Sequence, residues 1–318
     1  MGVNLDKPHL WKADVAASVD MYNEWFMEFA PVAFRETRIA VTKDVEQTLE
    51  RTGNLANITA GVLREHPEVL STLRMSTCPP LAVDRLIGLS GVSPSLVRSM
   101  EKGRLPTRLK SSALVAELEK LGDIIERMAD PDVFSWLDSE SEPTEADVYR
   151  AATIVADRLC GSVANPIIRN AQEKRQLRVI GAWLDSRGYS FTPTGSGLSF
   201  DKLPAGSYAF HMNVPVKQGE EKTVKLPVDV VVAAPTMVSG EIPLLIEAKS
   251  AGDFTNVNKR RKEEATKMAQ LAQTYGENVK FVLFLCGYFD SGYLGYEAAE
   301  GIDWIWEHRI DDLEKLCL

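Results

Sequence analysis

The chain has 318 residues, 45% of them hydrophobic, and a formal charge of −9 from 36 basic and 45 acidic side chains. That supplies core for one large domain or two ordinary ones. The acidic balance argues against a protein that coats nucleic acid indiscriminately, yet allows a locally basic groove in an acidic surface.

The opening stretch "MGVNLDKPHLWKADVAASVD" is polar and mixed in charge, which is unlike a secretory signal. Position 6 lacks the Ser or Thr of a myristoylation motif. Residues 10–30 have helical periodicity, with Val15, Val19, Tyr22 and Phe26 on one face, and Trp11, Trp25, Phe26 and Phe29 read as core. The 45–75 stretch also reads as helical. Residues 81–102 predict two short helices around Ser90-Gly91, with Ser93 as N-cap and Pro94 at the first helical position. This is the pattern of a helix-turn-helix. Its surroundings are basic, with Arg85, Arg98, Lys102, Arg104, Arg108 and Lys110 against Asp84 and Glu101. An ordinary helical hairpin with a solvated basic face fits the same residues.

An amphipathic helix is expected at 113–130, then an exposed linker at 138–147, "DSESEPTEAD". The domain boundary is placed there. Residues 1–140 form a mainly helical region for DNA recognition, dimerisation or both, and residues 141–318 a catalytic domain. From about 145 a long helix follows, with a break expected at Gly161–Pro166. Strand-like runs come at 189–193, 206–216, 223–234 and 242–249, then a basic helix at 257–275 and the apolar strand "VKFVLFLCGYF". That order predicts an α/β fold around one mixed sheet. No run approaches the ~20 apolar residues that span a bilayer, so no membrane partner is expected.

Some chemistries lack their motifs. Cys78, Cys160, Cys286 and Cys317 form no CxxC pair, which argues against a zinc site and fits a reducing cytoplasm. His9, His66, His211 and His308 show no HxxxH or HxH spacing, and neither a GxSxG elbow nor a P-loop is present. "TGSGLSF" at 194–200 reads as a flexible loop.

One constellation does carry chemistry. Asp229 lies within the valine-rich strand "LPVDVVVAAP", where a carboxylate is costly unless it is paired or bound to a cation. The next strand, "PLLIEAKS", ends in Glu247 and Lys249, which share a face because strand side chains alternate. If the two strands pair, Asp229 faces both. Asp229 and Glu247, completed by the Ala248 carbonyl, then suit Mg²⁺, which prefers hard oxygen ligands. Lys249 would orient an attacking water or stabilise charge on a phosphate. Glu173, in the preceding helix, is a fourth candidate within reach, and Asn170 and Arg169 in the same stretch are suited to contacting phosphate or bracing the site. Lys259, Arg260 and Arg261 on the basic helix are candidates for the DNA backbone, or else for a solvated helix end running into Glu263-Glu264. Glu247 and Lys249 also admit a plain reading, as an exposed pair at a strand end.

Asp229 followed by Glu247-Ala248-Lys249 resembles the PD-(D/E)xK nuclease signature, with Pro227 one place earlier than the usual proline. More widely, residues 3–38, "ANPIIRNAQEKRQL" at 164–177 and "LLIEAKS" at 244–250 resemble the XamI family of type II restriction endonucleases. The resemblance implies a PD-(D/E)xK core, a central mixed sheet flanked by helices. It implies Mg²⁺-dependent cleavage of double-stranded DNA at a short palindrome, GTCGAC being the site of the family's namesake. A palindrome implies a two-fold homodimer, and a restriction enzyme implies a cognate DNA methyltransferase as genomic partner. Asp229, Glu247 and Lys249 carry over by motif match, and Glu173 by its helix. The alternatives are a non-cleaving DNA-binding regulator built on the helix-turn-helix, or a repair or defence nuclease without strict sequence specificity.

Overall fold

The structure is a computed structural model that describes residues 2–107, 111–139, 142–194, 197–219, 222–238, 240–254 and 261–316. Seven helices come first: α1 (Pro8–Arg51), α2 (Ala60–Glu65), α3 (Leu70–Met75), α4 (Val83–Ser90), α5 (Pro94–Met100), α6 (Ser111–Met128) and α7 (Glu145–Ser186). The sheet follows as β1 (Ser190–Phe191), β2 (Ser207–Gln218), β3 (Lys222–Ala233) and β4 (Leu244–Ala251), then α8 (Arg261–Tyr275), β5 (Phe281–Gly287), α9 (Ser291–Ala299) and β6 (Asp303–Trp306).

The chain divides into two units, Ala30–Ile168 and the pair of segments Met1–Phe29 and Arg169–Leu318. The division does not fall at the predicted linker. It falls inside α1 and inside α7, because Ala151, Val155 and Leu159, which follow the linker, are buried in the core of the helical unit. Loop composition at 138–147 reports solvent exposure of the chain, not where packing changes. The break expected at Gly161–Pro166 is also absent: α7 runs through both residues. Likewise α1 runs through Pro31, and the helical reading of 45–75 becomes the end of α1, α2 and α3 with turns between them.

The helical unit is built on Val45, Leu63, Leu70, Leu86, Leu96, Leu118 and Val155. Two arginines are tied into it, Arg74 by two 3.0 Å bonds to Glu101 and Arg158 by a 2.8 Å bond to Asp130. The pair α4–α5 has the expected helix-turn-helix form, closed by Gly91 at φ +64°, which a glycine adopts without a Cβ penalty. Ser93 precedes Pro94 as expected but does not cap α5; its hydroxyl meets the Ser95 hydroxyl at 2.8 Å.

The other unit holds a six-stranded sheet in the order β1-β2-β3-β4-β5-β6. β2, β3 and β4 are antiparallel, while β1–β2, β4–β5 and β5–β6 are parallel, so the sheet is mixed. Alternation gives it two apolar faces. Val231, Ala233, Leu245 and Leu283 share a core with Leu271 of α8 and Tyr293 and Leu294 of α9. Val230, Val232, Ile246 and Phe284 share one with Leu177, Ile180 and Leu184 of α7. Burying each such aliphatic side chain contributes about 1.5–3 kcal/mol, enough to fix the register. The start of α1 completes this unit through polar contacts. Arg309 donates to both oxygens of Asp14, at 2.8 and 2.9 Å, and the Gly287 N–H donates to the Ser18 hydroxyl at 2.8 Å. Trp11, Trp25 and Phe29 are partly buried, whereas Phe26 is exposed.

Candidate active site

The β3–β4 ladder pairs Val232 with Leu244, Val231 with Leu245 and Val230 with Ile246. Just past the last of these pairs the Ala248 N–H donates to Asp229 Oδ2 at 2.8 Å. The apolar residues therefore hold the two strands together, and the polar ones begin where the described pairing stops. Glu247 follows Ile246 at that point and is 5% exposed.

Glu247 and Lys249 do share a face, as alternation predicts, and their side chains meet: Lys249 Nζ lies 3.1 Å from Glu247 Oε1. The same amine lies 3.1 Å from Glu264 Oε1 on α8, a carboxylate that is fully buried. Lys267, one turn further along α8, also donates to Glu247 Oε1. Acids and bases thus alternate along Glu264, Lys249, Glu247 and Lys267. Burial works against the charge on Lys249, but Glu247 and then Glu264 outweigh it and hold its pKa above the usual lysine value. Glu247 Oε2 is buried with no hydrogen-bond partner among the described residues. Glu263-Glu264 is therefore not a fully solvated helix end: Glu263 is exposed, but Glu264 packs inward onto β4.

A second group surrounds Asp229. One ligand atom each from Glu173 of α7, His211 of β2 and Asp229 of β3 lie within 4.8 Å of one another. His211 Nδ1 is 3.9 Å from Glu173 Oε1. His211 belongs to no spacing motif in the sequence. Its signal is in the pairing instead: β2–β3 pairs Phe210 with Val230 and Met212 with Val228, which places His211 opposite Asp229. His211 also has φ +53°, the left-handed region, at a cost of about 1–2 kcal/mol for a non-glycine residue.

Burial first, then the charge of Glu247, pushes the Asp229 carboxyl up to about 6, and the Ala248 N–H and Lys249 offset only part of this. A carboxyl whose folded pKa lies above its unfolded value binds its proton more tightly when folded. The metal-free protein therefore loses stability as pH rises from about 4 to about 6, by roughly 2–3 kcal/mol. Above that window Asp229→Asn is expected to be more stable than wild type by about that amount, with the gap closing near pH 4. Urea melts in chelator across pH 4–8 measure it; a gap that stays constant with pH contradicts the assignment.

The other predicted residues are more dispersed. Asn170 is exposed one turn before Glu173 on α7. Arg98, Lys102 and Arg104 are exposed in the helical unit, where Arg98 meets the equally exposed Asp84 at 3.1 Å. Arg261 opens α8. Arg108, Lys259 and Arg260 lie outside the described residues.

A mixed sheet between helices, an acid on one central strand and Glu-Ala-Lys on the next define the core of the PD-(D/E)xK nucleases. Residues 53–306 match the model of the XamI restriction endonuclease family. The chain is 52% identical over 314 residues to the type II restriction enzyme SalI of Streptomyces albus G, covering 98% of each chain. A solved structure, protein VC1899 from Vibrio cholerae, aligns over 87% of this chain and 55% of that one at 12% identity, with a TM-score of 0.28. The chain belongs to the XamI restriction endonuclease family. It is a type II restriction endonuclease, an enzyme that hydrolyses double-stranded DNA. Among the described residues no helix is long and apolar enough to cross a membrane.

Proposed function

We propose that this enzyme cuts a short palindrome, GTCGAC, in a Mg²⁺-dependent reaction centred on Asp229, Glu247 and Lys249, with Glu173 as a third acid. The observation that carries this reading is the meeting of four carboxylates, Asp229, Glu247, Glu173 and Glu264, with two ammonium groups among the described residues, Lys249 and Lys267. Four acids against two bases, one carboxylate oxygen of Glu247 buried without a partner, and an Asp229 pKa pushed upward all fit a divalent cation.

Asp229 and Glu247 would hold that cation, with the Ala248 carbonyl and Glu173 completing its oxygen shell. When bound, it polarises the scissile phosphate and acidifies a water. Lys249, kept charged by Glu247 and Glu264, stabilises the charge that builds on the phosphate oxygens and orients the water. Asn170 contacts phosphate from α7. Arg98, Lys102, Arg104 and Arg108 of the helix-turn-helix region, with Lys259, Arg260 and Arg261, supply salt-sensitive backbone contacts. A palindromic site calls for a two-fold homodimer, each subunit cutting one strand. The enzyme then works in the cytoplasm beside a DNA methyltransferase that protects the host's own sites.

Digestion of unmethylated phage DNA with Mg²⁺ tests the reading. Discrete fragments that end at GTCGAC are expected, with none in chelator. Fragments ending at another sequence overturn the site, and a smear overturns sequence-specific cutting.

A further inference from the structure

We propose that His211 supplies a nitrogen ligand to the cation of the cleavage centre, so that the site binds a borderline transition ion such as Co²⁺ more tightly than Mg²⁺. This rests on the metal-dependent reading above and adds to it a donor that the nuclease signature does not contain.

Three independent features carry it. His211 Nδ1 belongs to the group of ligand atoms that lie within 4.8 Å of one another, together with Glu173 and Asp229. Its backbone, at φ +53°, leaves the extended conformation in mid-strand, opposite Asp229. A left-handed residue in a twelve-residue strand persists only where the surroundings impose it, and such strain gathers at functional sites. Finally, the imidazole side chain is 57% exposed. It is not buried for packing, and it is open to an ion from solvent.

The donor set decides the ion. Carboxylates alone suit Mg²⁺, which is hard and gives up its water reluctantly. One imidazole among them favours a borderline ion such as Co²⁺, whereas Mg²⁺ and Mn²⁺ both suit oxygen donors; Mn²⁺ serves as the spin probe that reports a bound nitrogen.

The test is metal binding by the full-length chain without DNA, followed by the electron spin resonance of Mn²⁺. Wild type is expected to hold Co²⁺ at least about tenfold more tightly than Mg²⁺ in competition. Pulsed spectra should show coupling to one imidazole nitrogen. His211→Gly, which keeps the left-handed backbone without strain, should lose that coupling and most of the Co²⁺ preference. His211→Ala should do the same. Bound Mn²⁺ without nitrogen coupling, or coupling and preference unchanged in both variants, overturns the proposal. Asp229→Asn separates the two levels. If it weakens Mn²⁺ binding while no nitrogen is seen, the centre stands and only the role of His211 falls. If it leaves binding unchanged, the centre itself is misplaced, and His211 with it.

Discussion

Asp229→Ala is expected to slow DNA cleavage by about 10³–10⁴-fold, with binding to the same DNA largely intact. The size follows from the cation's share of the barrier: polarising a phosphoryl oxygen contributes several kcal/mol, and each 1.36 kcal/mol is tenfold in rate. Asp229 is the acid on which both groups of side chains converge. Its carboxylate accepts from the Ala248 N–H on β4 and lies in the cluster with Glu173 and His211. Binding is spared because DNA affinity comes mainly from many Lys and Arg contacts with the backbone. Single-turnover rates measure the first part, and gel shifts in Ca²⁺ the second. Cleavage at the wild-type rate would remove Asp229 from the centre.

The second large effect is at Lys249. Lys249→Met is expected to lower the single-turnover rate by about 10²–10³-fold, the usual loss when one donor to a developing negative charge is removed. Two carboxylates keep this lysine protonated, which suits a fixed cation better than a proton acceptor. The rate should therefore not depend on a lysine losing its proton between about pH 7 and 9. The substitution also leaves the fully buried Glu264 without that ammonium group, and removing one partner of a buried pair costs about 3–5 kcal/mol. Lys249→Met with Glu264→Gln removes both charges and should recover stability but not cleavage. Recovery of cleavage in that double variant would mean Lys249 acts only by neutralising Glu264.

Much of this centre was legible because it obeys short-range rules. The four strand runs and the basic helix lie within a few residues of their observed bounds, since alternation and β-branched content mark strands directly. Asp229 stood out as a charge among valines, and Glu247 and Lys249 as two polar residues with a period of two. Other features depend on partners distant in the chain. His211 matters because it falls opposite Asp229 in a hairpin register and because its φ is positive, and neither fact is local to "FHMNV". Glu264 reads as surface beside Lys262 and Glu263, and only the docking of α8 on the sheet turns it inward. The unit boundaries were missed for the same reason. Gly161, Pro166 and the acidic 138–147 stretch are local breakers, but Leu159 on one side and Leu177 on the other belong to different cores of one continuous helix. Single prolines and glycines were outweighed there by tertiary packing.

The most direct measurement is the anomalous scattering of Mn²⁺ in crystals of the whole chain. The account predicts a peak within bonding distance, about 2.0–2.3 Å, of a carboxylate oxygen of Asp229, with Glu247 or Glu173 supplying a further oxygen. A fully occupied peak that touches none of these acids, in an enzyme that cuts DNA with that ion, would contradict it.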